Sequence, residues 1–235
     1  MKSLSVTLRV LAHLLSYPEA ELRAHLPELR AALHDERALS FGRLAELDAL
    51  IDRLSARGQS RRPLDVEAEY VELFDRGRGT ALHLFEHVHG DSRDRGPAMV
   101  DLTKTYEAAG LYLGPDELPD HLTVVLEYAS TQPPAQAAEF LREIAHILQV
   151  IFSALLKRQS PYASVLAALL DLAGEKAQAV KLPEEPELDE SWEEPLAFGG
   201  CSTQGQASPG QPQPIQIVKR HAAAMAPTPS AGASA

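Results

Sequence analysis

The sequence predicts an all-α protein, a single-domain bundle of roughly seven to nine helices with a disordered C-terminal tail. Leu and Ala, which are strong helix formers, dominate the chain up to about residue 174. Apolar residues recur there at spacings of three and four, the period of a helix face. No stretch alternates apolar and polar residues between turn signals, as a half-buried strand would. A hydrophobic fraction of 45% is sufficient for one sizeable core.

The N-terminal region contains three predicted helical stretches, residues 3–16, 19–35 and 41–56. One face of the first is formed by Leu4, Leu8, Leu11 and Leu15. This helix ends before Pro18, because the residue that precedes a proline is displaced from the α region. The second stretch is expected as one or two pieces around Pro27, since an internal proline removes a backbone donor. The third ends at Gly58, which suits a C-terminal cap.

The middle of the chain is predicted to contain three further helices separated by loops. Val66, Tyr70 and Leu73 form one apolar stripe of the first, until two glycines break the pattern. The second covers residues 96–109 and ends just before a glycine. The loop LYLGPDELPD then leads into a third helix that begins at about Asp120.

Two helices complete the predicted bundle. Residues 134–158 carry a long apolar stripe at helical spacing and are expected to form one helix. The last helix has the clearest boundaries, with Ser160 as N-cap, Pro161 at the first position and Gly174 at the end.

The composition changes after the last predicted helix, which indicates a folded domain at 1–174, an acidic segment at 175–198 and a disordered tail at 199–235. The stretch KLPEEPELDESWEEP has seven acids against one lysine. The tail is rich in Gly, Pro, Gln, Ser and Ala and has too few apolar residues to build a core. Trp192 and Phe198 are the large aromatic residues of the acidic segment, and they either pack back on the domain or dock a partner.

Charge and cysteine content narrow the function classes. The net charge is −11, and an acidic protein repels phosphate backbones, so nucleic acid is not an expected partner. Cys201 is the single cysteine, which excludes a disulfide framework or a cysteine-based metal site within one chain. The N-terminus lacks the pattern of a signal peptide, and no apolar run approaches the roughly 20 residues that span a bilayer. We expect a cytoplasmic protein that does not insert into the membrane.

The stretch HLFEHVHGDSRDRG, residues 83–96, raises the alternative of a catalytic metal site. Its first five residues fit the H-x-x-E-H pattern, in which His83 and His87 would bind zinc and Glu86 would act as general base. Glycines bracket the segment, however, and nothing marks a third ligand. No other catalytic motif is found. Histidines and acids of this kind also cap short helices or form a recognition surface, and the residues alone leave those two possibilities open.

A longer block that contains these histidines resembles a known family. YVELFDRGRGTALHLFEHVHGDSRDRGPAMVDLTKTYEAAGL, residues 70–111, is similar to the signature block of NarJ-type assembly chaperones of respiratory nitrate reductase, within the TorD/DmsD/NarJ redox-enzyme maturation chaperones. LPDHL at 118–122 is similar to the Pro-x-Asp-His linker motif of the wider family. RQSPYASVLAALLDLA resembles its last bundle helix, and SWEEPLAFGGC its acidic tryptophan motif. The resemblance extends from about residue 3 to Cys201.

The resemblance implies an all-helical chaperone without enzymatic activity or a cofactor of its own. Such a chaperone binds the immature catalytic (alpha) subunit of nitrate reductase, partly through its N-terminal peptide. It keeps that subunit competent for molybdenum cofactor insertion before membrane attachment, with molybdenum cofactor delivery proteins as possible further partners. The alternatives are a chaperone of a different molybdoenzyme and, less favoured, a zinc hydrolase that uses His83, Glu86 and His87.

We expect the client peptide to lie as a helix in a groove between bundle helices. The residues expected to contact it are Tyr70, Phe74, Phe85, Glu86, His87, Asp120, His121 and Glu127. The aromatic rings would contact apolar client residues, and the acids would meet basic ones. The purely structural alternatives are core packing for Tyr70 and Phe74, helix N-capping for Asp120, and a solvated helix face for Glu127.

Overall fold

The computed structural model describes residues 3–55, 62–90, 92–115 and 117–182, which form ten α-helices and no strand. The helices are α1 (Ser5–Leu14), α2 (Ala20–Glu36), α3 (Phe41–Leu54), α4 (Pro63–Tyr70), α5 (Leu84–Val88), α6 (Arg95–Ala108), α7 (Leu122–Thr131), α8 (Pro134–Glu143), α9 (Ala145–Lys157) and α10 (Ala163–Ala173). A π-helical turn, Val71–Asp75, and a 3-10 turn, Arg78–Thr80, connect α4 to α5. The predicted all-α class is confirmed.

Helix α10 lies at the centre of the bundle. It packs against α1, α3, α8 and α9, and every residue from Ala163 to Leu170 is buried. A helix that is apolar on all sides needs neighbours on all sides, because an exposed face would leave leucines in water. The composition ASVLAALLDLA therefore explains why this helix forms the core.

Helix α1 is the second organising element. Its leucines Leu8, Leu11 and Leu14 are fully buried. It packs most extensively on α7 and also on α2. Because α7 follows α1 by more than a hundred residues, this contact joins the start of the predicted domain to a helix that is distant in sequence.

Two differences from the predicted boundaries explain why the described residues form ten helices instead of seven to nine. The last helix also begins later than predicted, at Ala163, with Tyr162 instead of Ser160 as its N-cap. The predicted single helix 134–158 is divided at Ile144, whose φ of −92° and ψ of 2° leave the α region. Neither proline nor glycine lies there, so the sequence carries no signal for the break. Residues 84–88 form a separate one-turn helix. Helix α2 continues through Pro27, and its buried Leu26 and Leu33 lie on either side.

The N-terminus of α1 is capped by a distant side chain. Leu4 at the N-cap position offers no side-chain acceptor. The carboxylate of Glu36, at the end of α2, accepts hydrogen bonds from the backbone N–H groups of Val6 (3.2 Å) and Thr7 (2.6 Å). Burial raises the pKa of Glu36, but its hydrogen bonds at the start of α1 outweigh burial, and the pKa is lowered. Glu36 therefore joins α1 to α2.

After α10 the chain returns along α9 without forming a helix. The Gln149 side-chain amide donates to the carbonyl of Gln178, and the Val180 N–H donates to Ser153 Oγ at 2.9 Å. The predicted acidic segment from Pro183 onward, including Trp192, and the predicted tail 199–235 lie outside the described residues. Among the helices of the described ranges, none combines the length and apolar character needed to cross a membrane.

We expect Glu36→Ala to lower the free energy of unfolding by about 1 kcal/mol, because it removes a capping acceptor from two N–H groups of α1. Asp35→Ala is the matched control, since Asp35 is an exposed acid on the same last turn of α2. Urea denaturation at pH 7 measures both. Equal stabilities of the two variants would contradict the capping role of Glu36.

Candidate functional site

The loops before α5 and α7 are joined by a short backbone pairing, here called the α5–α7 junction (His83, Leu84 and residues 120–122). The Leu84 N–H donates to the Asp120 carbonyl at 3.0 Å, and the Leu122 N–H donates to the Leu82 carbonyl at 2.8 Å. His83 and His121 face each other in an antiparallel bridge. The junction therefore fixes where α7 begins relative to α5.

Asp120 is the buried acid of this junction, with no exposed surface. Its carboxylate accepts a hydrogen bond from the Phe85 N–H at 3.2 Å and contacts His83 Nδ1 at 3.4 Å. Arg95, the first residue of α6, lies 3.6 Å away. Because Phe85 is in the first turn of α5, Asp120 caps α5 from another part of the chain. Helix N-capping, the structural alternative expected for Asp120, is therefore observed at α5. Asp120 does not cap α7, the helix that follows it in sequence.

The charges at the junction stabilise one another. Burial raises the pKa of Asp120, but the hydrogen bonds from His83 and Phe85 and the charges of His83 and Arg95 outweigh it, so that the pKa is lowered. The hydrogen bond with Asp120 raises the pKa of His83, against the opposing effects of burial and Arg95. An ionised carboxylate beside a protonated imidazole is the state that this geometry favours.

His121 has the opposite character from His83. Its ring centroid lies 4.9 Å from that of His83, and its Nδ1 is 2.6 Å from Thr123 Oγ1. Burial lowers the pKa of His121, and the charge of His83 lowers it further. The two imidazoles therefore differ: the surroundings of His83 favour its protonated form, and those of His121 favour its neutral form.

The remaining predicted site residues of this region lie on α5. His87 Nε2 is 2.9 Å from the carbonyl of Ala81, which fixes the ring on the preceding loop. Glu86 is exposed and forms an ion pair with Arg95 at 3.4 Å. Phe85 is half-buried against His89. The structure thus places Phe85, Glu86 and His87 near Asp120 and His121.

The geometry gives no support to a zinc site. His83 is the N-cap residue of α5, outside the helix, so His83 and His87 do not form a pair on adjacent turns of one helix. Their ring nitrogens are directed to different partners, Asp120 and the Ala81 carbonyl. Within the described residues, no group of three or more His, Cys, Asp or Glu side chains is arranged to hold a metal ion.

A groove of about 360 Å³ lies next to the junction, between α1, α7 and the loop that follows α6. We call it the α1–α7 groove, and its lining residues are Arg9, His13, Tyr106, Leu111, Tyr112, Leu113, Glu117, Val124, Glu127, Tyr128, Ser130 and Thr131. Tyr106 and Tyr128 form an aromatic pair with ring centroids 5.0 Å apart. The Tyr106 hydroxyl donates to the Pro119 carbonyl at 2.8 Å, which connects the groove to the residue before Asp120.

The groove carries both apolar and charged groups. Tyr112 is 81% exposed at its rim. Glu127, a predicted site residue, lines the groove and is exposed, and Glu117 adds a second carboxylate. Arg9, whose Nε donates to Ser130 Oγ at 3.2 Å, supplies a cation from α1. Sequence reasoning missed Arg9 and Tyr112. The only signal for the latter was an aromatic ring in a Gly- and Pro-containing loop.

Tyr70 and Phe74 lie elsewhere, in an aromatic cluster of the core. The ring of Tyr70 is 5.5 Å from Tyr17 and 4.8 Å from Phe74, and Phe74 is 5.0 Å from Tyr162. Tyr70 and Phe74 are only 6% and 7% exposed, and the Tyr70 hydroxyl donates to the Leu15 carbonyl at 2.8 Å. Core packing explains both rings. Client contact through them stays a prediction that requires the cluster to open.

Comparison with known proteins places these features in a family context. The family model described as "Nitrate reductase delta subunit" matches residues 17–168, which include the α5–α7 junction and nearly all of the described helices.

Three relatives illustrate the similarity. The nitrate reductase molybdenum cofactor assembly chaperone NarJ of Escherichia coli (strain K12) is 42% identical over 199 residues, 80% of this chain and 83% of that protein. The "Probable nitrate reductase molybdenum cofactor assembly chaperone NarW" of the same strain is 53% identical over 111 residues, 47% of this chain and 48% of that protein. The "Probable nitrate reductase molybdenum cofactor assembly chaperone NarJ" of Bacillus subtilis (strain 168) is 30% identical over 165 residues, 70% of this chain and 86% of that protein.

We expect His83→Gln to destabilise the protein more at pH 6 than at pH 9. The raised pKa of His83 in the folded state means that its protonation stabilises the native protein. This contribution is fully present below the unfolded pKa of about 6.5 and is lost as the pH rises through the folded pKa.

Urea denaturation at the two pH values, with His146→Gln as the matched loss of an exposed imidazole, measures the effect. A pH-independent cost of His83→Gln would show that its proton has no role in the junction.

Proposed function

The chain belongs to the nitrate reductase delta subunit family, and from this membership we propose that it is a system-specific chaperone for the assembly of respiratory nitrate reductase. It binds the immature catalytic subunit, including that subunit's N-terminal peptide, and permits molybdenum cofactor insertion before membrane attachment. No enzymatic reaction is assigned to it. A cytoplasmic location and contact with cofactor delivery proteins stay predictions.

The observation that carries this proposal at the level of residues is the α1–α7 groove. Its volume of about 360 Å³ is large enough for several side chains of a peptide. Val124 and Tyr128, which are half-buried, offer apolar and aromatic contact, as an amphipathic client helix requires. Large aromatic rings also provide contact area with little loss of side-chain freedom.

Charge complementarity supports a basic client segment. Glu117 and Glu127 both line the groove, and the whole chain has a net charge of −11. Charges of this kind accelerate the encounter with a basic peptide and discriminate against an acidic one. Arg9 and His13, on α1, face the same groove and are suited to carbonyl groups of the bound peptide.

Asp120 and His121 act in this proposal as positioning residues. Asp120 has no exposed surface, so a client cannot reach it in the folded chaperone. Both residues directly precede α7, which carries Val124, Glu127 and Tyr128 in its first two turns. A change at Asp120 therefore alters client binding by moving α7. The accessible side chains Phe85 and Glu86 of α5 stay predicted client contacts.

The client is proposed to be nitrate reductase and not another molybdoenzyme because two relatives that match 80% and 70% of the chain are named for nitrate reductase assembly. A pull-down from cells that express apo-forms of several molybdoenzymes tests this choice. Retention of a different catalytic subunit, without that of nitrate reductase, would overturn the proposed client while leaving a chaperone role.

We expect Glu127→Lys to weaken binding of the nitrate reductase N-terminal peptide about tenfold, because the change places a cation against a basic peptide. Tyr112→Ala removes exposed aromatic surface at the rim and should weaken binding to a similar extent. Isothermal titration calorimetry with a synthetic peptide of the catalytic subunit measures both affinities.

Glu28→Lys is the matched control, since Glu28 is an exposed acid on α2 that does not line the groove. Equal affinities of Glu127→Lys, Tyr112→Ala and Glu28→Lys would place the peptide outside the α1–α7 groove. Absence of binding by the unaltered protein would refute peptide recognition itself.

A further inference from the structure

A further pocket, of about 250 Å³, is lined by Arg78, Glu86, Gly90 and Arg95, and we call it the Arg78–Arg95 pocket. Arg78 comes from the 3-10 turn, Glu86 from α5 and Arg95 from the first position of α6, while Gly90 lies two residues past the end of α5. The pocket shares no lining residue with the α1–α7 groove. Because drug-sized ligands occupy roughly 300–1,000 Å³, this volume suits a small ion or one group of a larger molecule.

Arg78 supplies this pocket with a cation that is available to a ligand. Its side chain is exposed, and in the part of the chain that the structure describes its guanidinium has no hydrogen bond or ion pair. An arginine stays protonated at physiological pH and presents five N–H groups in a planar fork, which matches the oxygens of a carboxylate or a phosphate. Arg76, two positions earlier, differs in both respects, because it pairs with Glu72 at 3.3 Å and does not line the pocket.

Arg95 is the second cation, and the α5–α7 junction holds it in place. Its Nη2 lies 3.6 Å from the buried carboxylate of Asp120 and 3.4 Å from Glu86 Oε1. No other hydrogen bond of its guanidinium is found among the described residues, so Nε and Nη1 keep donors for a ligand. His83, which also contacts Asp120, shares in balancing that carboxylate. Because the guanidinium is already fixed at one end, a ligand that binds it restricts less side-chain freedom.

Glu86 is the acid of the pocket, and its contact with Arg95 is long and open to solvent. The side chain of Glu86 is 39% exposed, and an exposed ion pair of this kind contributes little to stability. A doubly charged anion can therefore displace it. Gly90 leaves its part of the wall open, since a Cβ at its left-handed backbone, φ +51°, would meet nothing within 4 Å. The lining residues together carry two positive charges and one negative charge.

We propose that the Arg78–Arg95 pocket binds a phosphate group. Both guanidinium groups donate charge-assisted hydrogen bonds to its oxygens, and the Glu86 carboxylate turns to solvent when the phosphate replaces it at Arg95. A phosphate is favoured over a single carboxylate because its larger negative charge and additional acceptor oxygens match two arginines. The site goes beyond the proposed chaperone function and does not depend on the client peptide.

Binding of inorganic phosphate to the full chain tests the site. Isothermal titration calorimetry in Tris buffer, with the ionic strength held constant by NaCl, should give a dissociation constant in the millimolar range for the unaltered protein. We expect Arg78→Gln to weaken binding about tenfold or more, because it removes charge-assisted hydrogen bonds. Glu86→Gln should tighten binding about threefold, because the competing carboxylate is lost.

Arg76→Gln is the matched control, because it removes the same charge from an exposed arginine that does not line the pocket. Its affinity for phosphate should equal that of the unaltered protein. Phosphate should also raise the Tm of these two proteins by mass action, and it should leave the Tm of Arg78→Gln unchanged. Because the Arg78 side chain is exposed, its replacement leaves the core intact, and circular dichroism checks that each variant is folded.

Two further probes identify the source of the phosphate group. Tighter binding of glycerol 3-phosphate than of inorganic phosphate would support a phosphorylated small molecule as the ligand, and equal binding would support the free ion. Acetate that binds as tightly as phosphate would overturn the proposal, since the site would then accept any carboxylate. Equal phosphate affinities of the unaltered protein and Arg78→Gln would mean an adventitious ion only. Absence of phosphate binding at millimolar concentrations would also overturn the proposal.

Discussion

A carboxylate with no exposed surface must be paired where it lies, because leaving a buried charge without partners costs several kcal/mol. Asp120 meets this condition through three partners at once. It accepts from the first turn of α5 at Phe85, contacts His83 just before that turn, and faces Arg95 at the start of α6. Its own backbone lies immediately before α7. The relative positions of α5, α6 and α7 therefore depend on one side chain.

The shape of the α1–α7 groove depends on these relative positions of α5, α6 and α7. Tyr106 of α6 and Tyr128 of α7 pack together in the groove, and the Tyr106 hydroxyl is tied to the backbone beside Asp120. A one-turn helix such as α5 is marginal by itself, since so few residues contribute hydrogen bonds. The capping charge of Asp120 compensates for this. Glu36 does the same for α1, so two helices that lack a local cap are completed by carboxylates from other parts of the chain.

Local sequence signals predicted most of the helices but fewer of the contacts between them. The final helix was recognisable from its apolar run and the glycine at its end, and it forms at Ala163–Ala173. Its predicted start was wrong, because residues 161–162 form a turn and Tyr162, not Ser160, is the N-cap. The division of residues 134–158 at Ile144 could not be recognised from the sequence, because its cause lies in tertiary structure and no proline or glycine marks it. Asp120 was identified as a residue of interest, but its role as a cap for α5 depends on a partner 35 positions away in sequence. The α1–α7 groove was harder still to predict, because Arg9 and Tyr112 come near each other only in the folded chain.

The packing of α1 on α7 also has a consequence for how the chain is made. Arg9 and Ser130, which bond across this contact, are 121 residues apart. At a synthesis rate of about 5–20 residues per second, the leucine face of α1 waits roughly 6–24 s on the ribosome before its partner emerges. The side of α1 that packs on α7 is thus covered long after it has been translated. The nascent chain itself therefore passes through an interval in which this apolar surface is exposed.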